Sequence, residues 1–199
     1  MEAVLNSKDS IFEEIEQEIF NQINEELLFD EKKIKEFIAN NLSKRLQEQN
    51  ERQQPFLFEK IIFDFFRYMK IELTESKKTR DFGIDGIVKM NVGLFGEVNL
   101  GLQIKYKTID STEVDSFLSA LKMSELQLGA IICKDSRELT KYELNSKLKA
   151  ILFSRGISLR ERLIKDKINI NPVFVLTFEE VISIVASNIR AFIKAVYKR

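Results

Sequence analysis

From Val98 to Lys107 the side chains alternate without a break. Val98, Leu100, Leu102, Ile104 and Tyr106 fall on one face, and Asn99, Gly101, Gln103, Lys105 and Lys107 on the other. A period of two fits a strand and not a helix, so this stretch limits the fold more than any other in the chain. It also places Gln103 and Lys105 on the same side of a strand whose opposite face is apolar. Upstream, Asp85 stands between Ile84 and Gly86 at the head of a second apolar run, and Gly93 to Gly96 separates the two runs. The pattern predicts antiparallel strands near 84–91 and 98–107, joined by a turn. Such a hairpin brings Asp85 beside Gln103 and Lys105.

Composition removes most competing chemistries. The 199 residues include no histidine and one cysteine, Cys133. Histidine general bases, histidine-ligated zinc and an intrachain thiolate cluster are therefore excluded. A metal ion would be held by oxygen, which points to Mg²⁺ or Mn²⁺. An acid, an amide carbonyl and an ammonium meeting on one hairpin suit metal-assisted phosphodiester chemistry. Cys133 lies in the apolar run Gly129 to Cys133 and reads as inert strand packing in a reducing compartment. No apolar run is long enough for a membrane span, and the acidic, amphipathic start is unlike a signal peptide, so the expected location is the cytoplasm.

Only 7 Gly and 2 Pro among 44% hydrophobic and 31% charged residues imply long regular elements. The zero formal charge conceals a gradient of about −6 over residues 1–50, about −1 over 51–135 and about +7 over 136–199. Residues 9–28 and 31–53 each repeat apolar groups at helical spacing, with Asp30 as the N-cap of the second helix. They read as an acidic helical hairpin. Pro55 begins a strongly apolar helix over 56–69 that carries one early acid, Glu59, after Phe58. Residues 72–83 read as a polar loop. A helix from Thr112 to about Leu126 and a buried strand over 129–133 complete a parallel strand–helix–strand unit with the hairpin. Basic helices are expected at about 137–168, then a strand at 172–176 and a last helix capped by Thr177. The domains expected are a hairpin over 1–54 and an α/β core over 55–199.

The order helix with Phe58-Glu59, loop, Asp81-Phe-Gly-Ile-Asp-Gly86, strand, turn, Gln103-Ile-Lys105, helix and strand resembles the PD-(D/E)xK nuclease superfamily. More narrowly it is similar to the Mrr-like restriction endonuclease branch, in which a glycine-flanked Asp precedes Gln-x-Lys. The resemblance implies a restriction-endonuclease-like α/β core, a mixed central sheet flanked by helices, with the N-terminal hairpin added. It implies that Asp85, Gln103, the Ile104 carbonyl and Glu59 hold the metal, and that Lys105 orients the attacking water. Lys77, Lys78, Arg80 and Lys107 are then placed to grip flanking phosphates. Gln103 departs from the superfamily's usual acid and leaves one ligand neutral.

The function this implies is Mg²⁺-dependent (or Mn²⁺-dependent) hydrolysis of DNA in restriction or defence. It calls for a homodimer or partner subunit, because cutting both strands needs two sites. The alternative is a catalytically weak nuclease fold serving as a nucleic-acid-binding module or complex subunit. The plainer alternative for the residues themselves makes Asp81 and Asp85 turn formers and Lys105 an exposed strand lysine.

Overall fold

The computed structural model describes residues 10–21, 30–76, 83–91, 97–126, 128–136 and 173–197. Lys77, Lys78, Arg80, Asp81, the 93–96 turn and the basic 137–168 segment lie outside the described residues. The elements, in order, are α1 (Ile11–Asn21), α2 (Glu31–Gln47), α3 (Gln54–Tyr68), β1 (Glu72–Glu75), β2 (Gly86–Asn91), β3 (Glu97–Ile109), α4 (Ser111–Met123), β4 (Leu128–Ser136), β5 (Val173–Thr177) and α5 (Phe178–Tyr197). They form two compact units, one of residues up to Lys70 with Glu179 onward, the other Ile71–Phe178.

The first unit is helical. Ile11, Phe12, Ile15 and Ile19 of α1, and Ile34, Ile38, Leu42 and Leu46 of α2, recur at helical spacing and are all buried. Asp30 caps α2 by accepting the Lys32 N–H at 2.9 Å. The helix stops at Gln47, short of the expected Gln53, because Asn50 redirects the chain. Its carbonyl takes the N–H groups of Gln53 (2.9 Å) and Gln54 (3.1 Å), which opens α3. In α3 every residue from Ile61 to Phe66 is buried, including Asp64. That carboxylate accepts the Ile11 N–H at the start of α1 (3.4 Å) and pairs with Arg67 (2.9 Å). Val181, Val185, Ile189 and Ile193 give α5 its buried stripe. Glu31 fastens α5 to α2, accepting from Ser187 and Arg190, each at 2.6 Å.

The described residues of the second unit form a mixed five-stranded sheet in the order β1-β2-β3-β4-β5. Neighbours are antiparallel from β1 to β3 and parallel from β3 to β5. Strand β1 corrects the expected loop at 72–83. Glu72-Leu-Thr-Glu75 is an edge strand with three of its four residues exposed, so backbone pairing with β2 holds it and no apolar alternation announces it. Helix α4 starts one residue earlier than expected, in a capping box: Asp110 accepts from Thr112 and Glu113, and Glu113 accepts from Asp110.

Helix α4 lies on the face to which Gly101 and Gly129 belong. These glycines are register partners on β3 and β4. A Cβ on Gly101 would stand 2.6 Å from Leu121, and one on Gly129 would stand 2.5 Å from Leu121 and 2.6 Å from Phe117. The paired glycines thus form a trough in which α4 rests. Its Val114, Phe117, Ala120 and Leu121 share a core with Ile84, Ile131, Cys133, Val173 and Val175.

Candidate active site

The β2–β3 register runs from Asn91↔Glu97 to Gly86↔Leu102. The ladder ends there, and Asp85, the residue before Gly86, is held by Leu102 and Ile104, the two neighbours of Gln103 on β3. Asp85 is fixed on three sides. Its N–H donates to the Leu102 carbonyl (2.8 Å), its carbonyl accepts from Ser76 of the β1 end (2.9 Å), and its carboxylate accepts the Ile104 N–H at 2.6 Å. The side chain therefore replaces the backbone acceptor where the ladder ends.

Strand β3 carries the rest of the arrangement. Gln103 and Lys105 are register partners of Ile131 and Cys133 on β4, so they lie toward α4. Gln103 is 7% exposed, and its Nε2 donates to the Gly83 carbonyl at 2.7 Å. Leaving that buried amide unpaired would cost about 1–3 kcal/mol. Lys105 is half-buried. The N–H and C=O of one strand residue point to the same edge. The Ile104 carbonyl is thus turned, like its N–H, toward Asp85. Cys133 is buried, with Sγ 3.5 Å from the Leu176 carbonyl, as packing would have it.

The register between β3 and β4 shifts between Lys105 and Thr108. A bulge at this point increases the local twist immediately after the lysine. Beside it, Lys134 stacks its ammonium over the Tyr106 ring, 4.8 Å from the centroid. Lys107 is exposed and paired with Glu113 at the start of α4. Glu59 is a half-buried residue of α3, in the helical unit.

Asp85, Gln103, Ile104 and Lys105 are therefore gathered within the sheet unit. Two features were not anticipated in the sequence: Gly83 as the partner of Gln103, and the Tyr106–Lys134 pair. Gly83 left a signal in Asp81-Phe-Gly-Ile-Asp-Gly86, where one glycine more than a strand entry needs precedes the acid. The oxygen set of carboxylate, amide carbonyl and backbone carbonyl suits Mg²⁺ or Mn²⁺. Among the described residues, no group of three Asp, Glu, Cys or His side chains is placed to hold a metal ion. Also among them, no helix is long and apolar enough to cross a membrane.

Comparison with solved structures finds the DNA modification-dependent restriction endonuclease AspBHI, with TM-score 0.47 and 16% identity over 83% of this chain and 40% of that one. It also finds MspJI restriction endonuclease in complex with a 27-mer oligonucleotide, with TM-score 0.35 and 15% identity over 81% of this chain and 35% of that one. The chain thus spans two fifths or less of the length of these structures. Curated protein sequences give no match. The family model for the Mrr catalytic domain, described as "Restriction endonuclease", matches residues 51–151. This segment runs from just before α3 through the hairpin, α4 and β4, the span that carried the resemblance in the sequence. As the match takes in just over half of the 199 residues, the chain belongs to this restriction endonuclease family, the Mrr-like branch of the PD-(D/E)xK nucleases.

Proposed function

We propose that this chain hydrolyses DNA phosphodiester bonds with Mg²⁺ or Mn²⁺, in restriction of foreign DNA. The observation that carries the reading is the meeting of Asp85, Gln103, Ile104 and Lys105 at the open end of the β2–β3 hairpin, in a chain of restriction endonuclease family. Asp85, the Gln103 amide oxygen and the Ile104 carbonyl would hold the ion. Bound there, a divalent ion supplies Lewis acidity toward the phosphoryl oxygens and lowers the pKa of a coordinated water.

The chain's own residues supply the rest. Lys105 directs its ammonium at the attacking water and at the charge gathering on the phosphoryl oxygens, where a positioned cation acts most strongly. The water oxygen forms the new bond to phosphorus as the bond to one sugar oxygen breaks; the water's proton passes to solvent, and the leaving sugar oxygen takes a proton from solvent. The Asp85 carboxylate is held in place by the short hydrogen bond it accepts from Ile104. Lys77, Lys78, Arg80 and Lys107 grip the flanking phosphates, and the basic 137–168 segment extends that grip. Such contacts position DNA without reading its sequence. A homodimer or partner subunit brings the second site needed for a double-strand cut. The protein works in the cytoplasm.

The test is plasmid nicking with Mg²⁺ or Mn²⁺, with the wild type set against Asp85→Ala and Lys105→Ala. Metal-dependent nicking by the wild type, lost in both variants, is expected. Equal behaviour of all three, with or without chelator, would end the catalytic reading. DNA retention without cleavage would then assign the chain to nucleic-acid binding.

A further inference from the structure

We infer that Gly83 is a positioning residue that makes position 103 an amide site, so that a carboxylate there is no substitute for Gln103. This inference rests on the metal-dependent reading of the site. Gln103 and Asp64 are the two buried polar or charged side chains among the described residues. The group 2.7 Å from Gln103 Nε2 is the Gly83 carbonyl, which can only accept. The NH₂ branch of the amide must therefore face Gly83, and the planar amide turns Oε1 away from it. The oxygen that a cation would use is thus selected by a backbone carbonyl on a different strand entry.

The Gly83 carbonyl is itself held in place. Gly83 has φ +85°, a conformation that L side chains rarely adopt, and a Cβ there would stand 3.1 Å from Gln103 Nε2. The next residue, Ile84, is 3% exposed and packs in the core with Val114, Phe117 and Leu121. The residue after that is Asp85. Three consecutive residues thus supply the carbonyl that turns Gln103, the anchor that fixes that carbonyl and the carboxylate that accepts the N–H of Ile104, the residue after Gln103.

A glutamate at 103 would set two acceptors against each other at hydrogen-bond distance. It would have to bind a proton, which leaves a neutral acid carbonyl that is a poorer donor to a cation than an amide oxygen, or swing away, which removes the ordered oxygen. Counting ligand charge alone predicts the opposite, that an added carboxylate tightens the ion. The two expectations separate in one experiment that does not depend on cleavage.

Mn²⁺ binding to the full chain, without DNA, is titrated calorimetrically for the wild type and Gln103→Glu, with thermal melts to show that both are folded. Loss of an orienting partner typically weakens a metal site about 10–100-fold, and that loss is expected for Gln103→Glu. Equal or tighter Mn²⁺ binding by the folded variant overturns the role of Gly83 and leaves the proposed function standing. Absence of Mn²⁺ uptake by the wild type overturns the metal reading and this role with it. Should Gln103→Glu fail to fold, the wild type still decides by NMR. Slow solvent exchange of the Gln103 side-chain NH₂ protons supports the lock, and fast exchange overturns it.

Discussion

The Asp85 carboxylate accepts the backbone N–H of Ile104 at 2.6 Å, which ties the acid to the residue flanked by Gln103 and Lys105. In Asp85→Asn the amide keeps this bond only by turning its oxygen to Ile104, which leaves an NH₂ where a cation would sit. The expected result is a folded protein whose nicking rate falls by on the order of 10²–10³-fold, the range seen when a preorganised electrostatic group is lost. Single-turnover cleavage of plasmid DNA measures it. A rate within a few-fold of wild type would show that the acid is structural.

Lys107 shares its charge with Glu113, so DNA must compete with an internal partner. Lys107→Ala should weaken DNA binding about equally for unrelated sequences and lower the slope of log K against log salt by about 1 or less. Glu113→Gln, which releases Lys107, should move affinity the other way. Fluorescence anisotropy across a salt series checks both, and an unchanged slope in Lys107→Ala removes it from the phosphate contacts.

The glycine trough makes a stability prediction that is independent of function. In Gly129→Ala the new methyl group meets both Leu121 and Phe117, whose side chains are packed in the core under α4 with little room to move. Overpacking of this kind costs about 1–3 kcal/mol. Urea unfolding of Gly129→Ala should show a lower midpoint with a similar slope. A midpoint equal to wild type would mean that α4 shifts without cost.

Glu31 gives the helical unit a pH dependence. The hydrogen bond from Ser187, and after it Arg190, hold its carboxyl below the ordinary 4.5 despite partial burial. The unfolded chain then binds the proton more readily than the folded one. The stabilisation is therefore complete above pH 4.5 and is lost as the pH falls through the lower folded value. Both partners are partly exposed, so Glu31→Gln should cost no more than about 1 kcal/mol at pH 7. That difference should shrink as urea melts are repeated down through the carboxylate range. A gap that stays constant with pH would contradict the assignment.

Particular residues show what the amino-acid order made legible. The alternation around Gln103 and Lys105 placed both on one face, because a half-buried strand writes its period into side-chain polarity. Asp85 could be set beside them because a hairpin fixes register. Strand β1 was hidden, since an exposed edge strand owes its pairing to the backbone and Glu72-Leu-Thr-Glu75 carries no apolar face. The role of Gly83 was hidden for a different reason. Its contact runs through a carbonyl that every residue has, and only its φ of +85° marks the position as special. The end of α2 depended on the Asn50 carbonyl and turn, which helical periodicity does not record.

Strand β3 is the middle member of a five-stranded sheet, with an antiparallel pair on one side and a parallel pair on the other. Thermal fraying begins at sheet margins and works inward. Among the described residues the margins are β1 and β5, and each is separated from β3 by a full strand. Gln103, Ile104 and Lys105 are therefore borne by the part of the sheet that opens last. Loosening at either margin, such as large bound molecules impose, reaches these residues only after a whole strand has been stripped from its neighbour.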